Sequence, residues 1–166
     1  AETEIRIQPE SKQIKVIRAL DGQLITGVDQ AEAKIENGNL VSNTVNDVLK
    51  LVVVNRYEKA EPAVAFIRGF GLKSGAIASS VAHDSHNIVS VGVSDAAIVR
   101  AINLVIDEQG GVAAVDGETE KVLSLPVAGL MSTDNGYRVA ERYHEIDALS
   151  HQMGSKLRAP FMTLSF

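Results

Sequence analysis

Asp47 to Tyr57 reads DVLKLVVVNRY, and the Leu51-Val52-Val53-Val54 centre restricts the fold more than any other stretch. Four consecutive apolar residues, three of them β-branched, predict a strand. A strand apolar at every position needs cover on both faces. The chain must therefore build a layered sheet and find elements to place above and below it.

The surrounding sequence offers such elements. Before this run, Ile14, Val16 and Ile17, then Leu24, Ile25 and Val28, make short β-branched runs. Asp21-Gly22 and Asn37-Gly38 punctuate them as hairpin signals. Ala63 to Phe70 resumes the apolar pattern after Glu61-Pro62. Gly75 to Ala82 and Asn87 to Val93 read as two further strands, and Val112 to Val115 with Lys121 to Leu125 as a pair around Asp116-Gly117. Two stretches change period. Ser94-Asp95 supplies an N-cap and a first-turn acid for Ile98, Ala101, Ile102, Val105 and Ile106, with Gly110-Gly111 as the stop. A second helix is predicted from about Asn135 to Met153, with Val139, Tyr143, Ile146 and Met153 inward and Gly154 closing it. The expected class is α+β (mixed α/β): a β-rich first third, then mixed sheets under two main covering helices.

The longest apolar runs fall short of a membrane span. A net charge of -5 with scattered basic residues gives no surface for nucleic acid. The absence of cysteine removes disulfides and thiolate metal sites and fits a cytoplasmic setting. An opening on Ala1, no visible signal peptide and an apolar ending at Phe161 to Phe166 lead us to expect a piece of a longer polypeptide.

Chemistry concentrates at Ser79 to Asn87, SSVAHDSHN, where two of the four histidines and a carboxylate fall between apolar strands. As one continuous strand, this stretch would send His83 and Ser85 to one face and Asp84 and His86 to the other. As a tight turn, His83-Asp84-Ser85-His86 gathers at one tip, and Asp and Ser suit such a turn. The turn is the favoured reading, with Asp84 either serving chemistry or only fixing the bend. On the second helix, His144, Asp147 and His151 share a face at metal-ligand spacing, but a solvent-facing surface is the better account. Arg68 and Lys73 flank the bend Gly69-Phe70-Gly71-Leu72-Lys73-Ser74-Gly75 and are weak candidates for attracting an anion. No phosphate-binding P-loop, nucleophile elbow or zinc helix motif is present.

Four blocks in order, DVLKLVVVNRY, GFGLKSGAIASSVAHDSHN (Gly69 to Asn87), LPVAGLMS (Leu125 to Ser132) and APFMTLSF (Ala159 to Phe166), resemble the C-terminal domain of bacterial adenine deaminases across essentially the whole chain. The resemblance implies that residues 1–166 are one domain of a metal-dependent amidohydrolase-type enzyme. Its N-terminal barrel would hold manganese or iron, or zinc, and deaminate adenine to hypoxanthine and ammonia, in adenine catabolism and purine salvage. The histidines here run H-x-x-H rather than the barrel's H-x-H, so this chain is expected to hold no metal and to be inactive alone. His83 and His86 are weak metal candidates only. His83, Asp84 and His86 are the expected catalytic residues, and Ser79, Ser80, Ser85 and Asn87 the expected substrate contacts. The expected partners are the barrel of the same polypeptide, adenine and further copies in a homo-oligomer. The alternatives are a purely structural or dimerisation domain and a stand-alone small-molecule module.

Overall fold

The structure is a computed structural model that describes residues 2–166. Ten strands appear in chain order: β1 (Gln13–Arg18), β2 (Gly27–Glu32), β3 (Ile35–Glu36), β4 (Asn39–Leu40), β5 (Leu49–Val54), β6 (Ala63–Arg68), β7 (Ala76–Ser79), β8 (Ile88–Gly92), β9 (Gly111–Asp116) and β10 (Thr119–Ser124). Among the described residues three α-helices accompany them, α1 (Asp95–Asp107), α2 (Gly136–Gln152) and the short α3 (Pro160–Leu164), after an opening 3-10 turn at Glu2–Ile5. Eight strands form one sheet in the order β10-β9-β7-β8-β5-β6-β1-β2, while β3 and β4 form a small hairpin of their own. Every neighbouring pair in the large sheet is antiparallel except β1 and β6, which run parallel through Ile17↔Ile67 and Arg18↔Arg68. The mixed sheet with two main covering helices is the class expected from the sequence.

The LVVV run lies in the middle of this sheet. β5 pairs with β6 on one side and β8 on the other, and Leu49 and Val52 on opposite faces are both fully buried. Alternation along the strands sorts the core into two layers. Ala76 and Ala78 of β7, with Ala113 and Val115 of β9, meet Ile98, Ala101, Ile102 and Val105 of α1. Ile77, Val91, Val112 and Ala114 turn the other way, toward Ile146, Leu149 and Met153 of α2 and Phe161 and Leu164 of α3. The small residues under α1 let it approach closely: a Cβ on Gly92 would stand 2.5 Å from the Ala76 Cβ and 2.6 Å from Ile98. A third cluster, Val16, Leu40, Val48 and Phe66, closes the β1 end.

Local signals set the element ends. The Ser94 hydroxyl accepts the Ala97 N–H at 3.2 Å to cap α1, and Asn135 does the same for Arg138 at the start of α2. Gln109 takes the left-handed turn after α1 at φ 60°, one residue before the expected glycine pair. Asn37-Gly38, both at positive φ, makes the tight β3–β4 hairpin. Asp21-Gly22 does not: it sits inside an eight-residue connection between β1 and β2, from position 19 to 26. Leu24 and Ile25, expected in a strand, lie in that connection and are 69% exposed, because β2 begins only where Gly27 pairs with Arg18. Ile106, expected on the inward stripe of α1, is 49% exposed. Among the described residues no helix is long and apolar enough to cross a membrane.

Candidate functional site

β7 and β8 deliver the Ser79–Asn87 stretch as a bent loop anchored at its base. The Ser79 hydroxyl accepts the Val81 N–H at 2.9 Å. The Ser80 hydroxyl accepts the Gly111 N–H at 2.8 Å and donates to the Gly129 carbonyl at 2.6 Å. Both serines are buried, so their hydroxyls serve the backbone and do not reach the surface. Beyond them the chain reverses tightly. The Ser85 N–H donates to the His83 carbonyl at 2.8 Å and the His86 N–H to the Ala82 carbonyl at 2.9 Å. Asp84 at φ 63° and His86 at φ 49° occupy the left-handed region. For non-glycine residues that costs on the order of 1–2 kcal/mol each. The turn expected from the sequence is present.

The turn divides its side chains. His83, at its tip, is 60% exposed, and its Nδ1 lies 3.3 Å from the Asp84 carboxylate. Both side chains of the pair are open to solvent, the Asp84 carboxylate at 91%. The imidazole stacks on Phe166, with centroids 5.0 Å apart and planes at 29°. Two bonds hold the C-terminal residues against the turn: the His83 N–H donates to the Ser165 carbonyl, and the Ser165 hydroxyl to the Val81 carbonyl, each at 2.7 Å.

His83 and Ser85 line one wall of a groove of about 230 Å³ on the face away from α1. It is lined further by Leu51, Val53, Ile67 and Val89 of the sheet, by Gln23 to Thr26 of the β1–β2 connection, and by Thr163 to Phe166 beside His83. His86 and Asn87 do not line it. They follow the other branch of the turn, where Val54 and Ile88 make the last rung of the β5–β8 ladder. There His86 Nδ1, Asn87 Oδ1 and Arg56 Nε are buried without hydrogen-bond partners. Arg56 donates to the Ala128 carbonyl and rests over the Tyr57 ring at 5.0 Å.

The other sequence candidates are engaged elsewhere. Arg68 pairs with Asp29 at 3.3 Å, and the Lys73 ammonium donates to the Thr44 carbonyl at 2.7 Å. The N–H groups of Gly69 and Gly71 both donate to the Asp47 carboxylate at 2.8 Å, so an internal acid already fills the concavity of the glycine bend. On α2, His151 lies 3.4 Å from Asp147 and 3.0 Å from the Ser155 carbonyl, while His144 is exposed. Asp147 is only half-buried and not fully solvent-facing. Among the described residues no group of three or more His, Asp or Glu side chains is arranged to hold a metal ion.

Sequence reasoning missed the groove partners. Phe166 had a signal in the apolar ending, but its stacking on His83, 83 positions earlier, left no mark in local pattern.

A family model described as adenine deaminase C-terminal domain matches residues 23–166. Among curated proteins, adenine deaminase of Sulfurovum sp. (strain NBC37-1) is 54% identical over 92% of this chain. Adenine deaminase of Methanosarcina mazei is 50% identical over 93%, and that of Salinibacter ruber 49% identical over all of it. The chain spans 27%, 28% and 31% of the lengths of these three relatives.

Proposed function

Since the chain belongs to the adenine deaminase C-terminal domain family, we propose that it closes the pocket in which a larger hydrolase exchanges the 6-amino group of adenine for oxygen, releasing ammonia and hypoxanthine. One observation carries this reading: an imidazole paired to a carboxylate and backed by an aromatic ring stands at the mouth of an apolar groove. A rigid sheet presents it, as loops carrying chemistry usually are presented.

Hydrolysis of the amidine C–N bond requires an activated water and a proton for the departing amine. A divalent metal would supply the first. Among the described residues no His, Asp and Glu group is arranged as such a centre, and we assign it to the polypeptide outside residues 1–166. His83 is suited to the second task. With Nδ1 beside the Asp84 carboxylate, which stabilises the imidazolium, Nε2 of that cation delivers its proton to the leaving nitrogen and the ring becomes neutral. Stacking on Phe166 fixes the ring plane. Ser85, on the same wall, is the substrate contact we retain. Ser79 and Ser80 support the turn from beneath, and His86 and Asn87 lie on its far branch.

Full-length enzyme carrying His83→Ala is expected to lose about 10²- to 10⁴-fold in kcat, the usual contribution of a positioned acid or base. Asp84→Asn is expected to lose less, because the imidazole remains and only the stabilisation of its cation is lost. Melting should be unchanged for both, since exposed substitutions move stability by about 0.5 kcal/mol or less. Unaltered turnover with unaltered melting would establish the purely structural alternative. Turnover of adenine by residues 1–166 alone would overturn the assignment of the metal centre to the rest of the chain.

A further inference from the structure

Five large apolar side chains on the groove side are exposed: Leu24 and Ile25 at 69%, Val28 at 76%, Met162 at 59% and Phe166 at 45%. They form one surface. Leu24 and Phe166 line both the groove beside His83 and a second hollow that includes Met162. Val28 stands opposite Ile17 in the β1–β2 ladder, and Ile17 is opposite Ile67 of the groove lining. Charges at the rim are already paired within the chain: the Arg158 guanidinium donates to Asp21 at 2.9 Å, and Arg18 and Arg68 both face Asp29. What remains on offer is chiefly apolar area, with the exposed Asp84 carboxylate at one edge.

We infer that this surface is an intramolecular seam, covered by the part of the same polypeptide that lies outside residues 1–166. Relatives devote roughly 70% of their length to that part, since the chain spans only 27% to 31% of them. A stable dimer uses about 20–30 residues on each side, far more than five side chains and their neighbours provide. A tethered partner needs much less, because the covalent link sets an effective concentration in the ~mM range. The inference rests on the proposed function only in needing a larger chain. It adds where that chain sits: across the β1–β2 connection and α3, with His83 and Asp84 at the edge of the seam.

The test uses the full-length protein and reads labelling, not turnover. Leu24→Cys and Ile25→Cys are each treated with a maleimide, and labelling is followed at that peptide by mass spectrometry. Tyr137→Cys, at a 92% exposed position on α2, sets the unprotected rate. Protection of positions 24 and 25 by about tenfold or more, independent of protein concentration, is the expected result, since reaction must then wait for the seam to open. Labelling as fast as at position 137 overturns the inference. Protection that disappears on dilution assigns the surface to a second copy and overturns it equally. Because the readout ignores chemistry, the seam can fail while His83 proves essential, and the reverse.

Discussion

Lys50, the second residue of β5, is 1% exposed. Its ammonium lies 2.5 Å from the Asp95 carboxylate, at the first turn of α1, and 3.1 Å from the Ile5 carbonyl. The residue thus ties the sheet to a helix and to the chain start, and it places Asp95 where the helix dipole also favours an anion. Replacing one partner strands the other charge away from water. We expect Asp95→Ala to lower unfolding free energy by about 3–5 kcal/mol, and Lys50→Met combined with Asp95→Ala to recover much of that loss. Urea unfolding of the four members of the cycle measures it; additive losses in the double variant would show that the two residues are uncoupled. Nothing in KLVVV announced this. Lys50 reads as the polar break in an apolar run, and only the pairing of a distant helix start explains its burial.

At the scale of elements, what the sequence disclosed followed how local the cause was. Ser94, Asn135, Asn37-Gly38 and the two apolar stripes act within a few residues of themselves, so α1, α2 and the β3–β4 hairpin were legible before any coordinates. The β7–β8 turn was legible for the same reason, through Asp84 and Ser85. Asp21-Gly22 misled because its carboxylate is used at long range. Asp21 accepts the Arg158 backbone N–H at 3.1 Å and the guanidinium at 2.9 Å, fastening the β1–β2 connection to the segment entering α3. The backbone N–H chiefly, and the guanidinium next, hold the Asp21 carboxyl below its ordinary value of 3.8. A depressed value means the tie is in force above 3.8 and is lost as pH falls through the folded value. Amide exchange, corrected for the intrinsic pH effect, should therefore quicken for residues 20–25 in strong acid ahead of the β5–β8 core. Asp21→Asn should show the same quickening at neutral pH. Equal protection in the variant and the parent would remove Asp21 from this role.

For the molecule as a whole, the decisive pairing is the one least visible in sequence. β1 and β6 are parallel neighbours 50 residues apart in register, and parallel pairing of remote segments leaves no turn signature to read. Yet β1 is internal to the sheet, flanked by β6 and β2, and Val16 is 1% exposed against Phe66, Val48 and Leu40. The family match begins at Gln23, after β1 has ended. The folding unit is therefore larger than the matched segment. A chain beginning at Gln23 would leave β2 without its only partner in the sheet and open the β6 edge. It would also remove the Ile5 carbonyl from Lys50. Burying Val16 alone contributes about 1.5–3 kcal/mol, and Ile5, Ile14 and Ile17 add to it. The combined loss is comparable with the ~5–15 kcal/mol that stabilises a domain of any kind. Residues 23–166 should accordingly unfold in urea at a lower midpoint and with a shallower slope than residues 1–166, and bind more of a hydrophobic dye. If both chains unfold at the same midpoint with the same slope, β1 is an appendage, and the sheet order places it more centrally than its energy warrants.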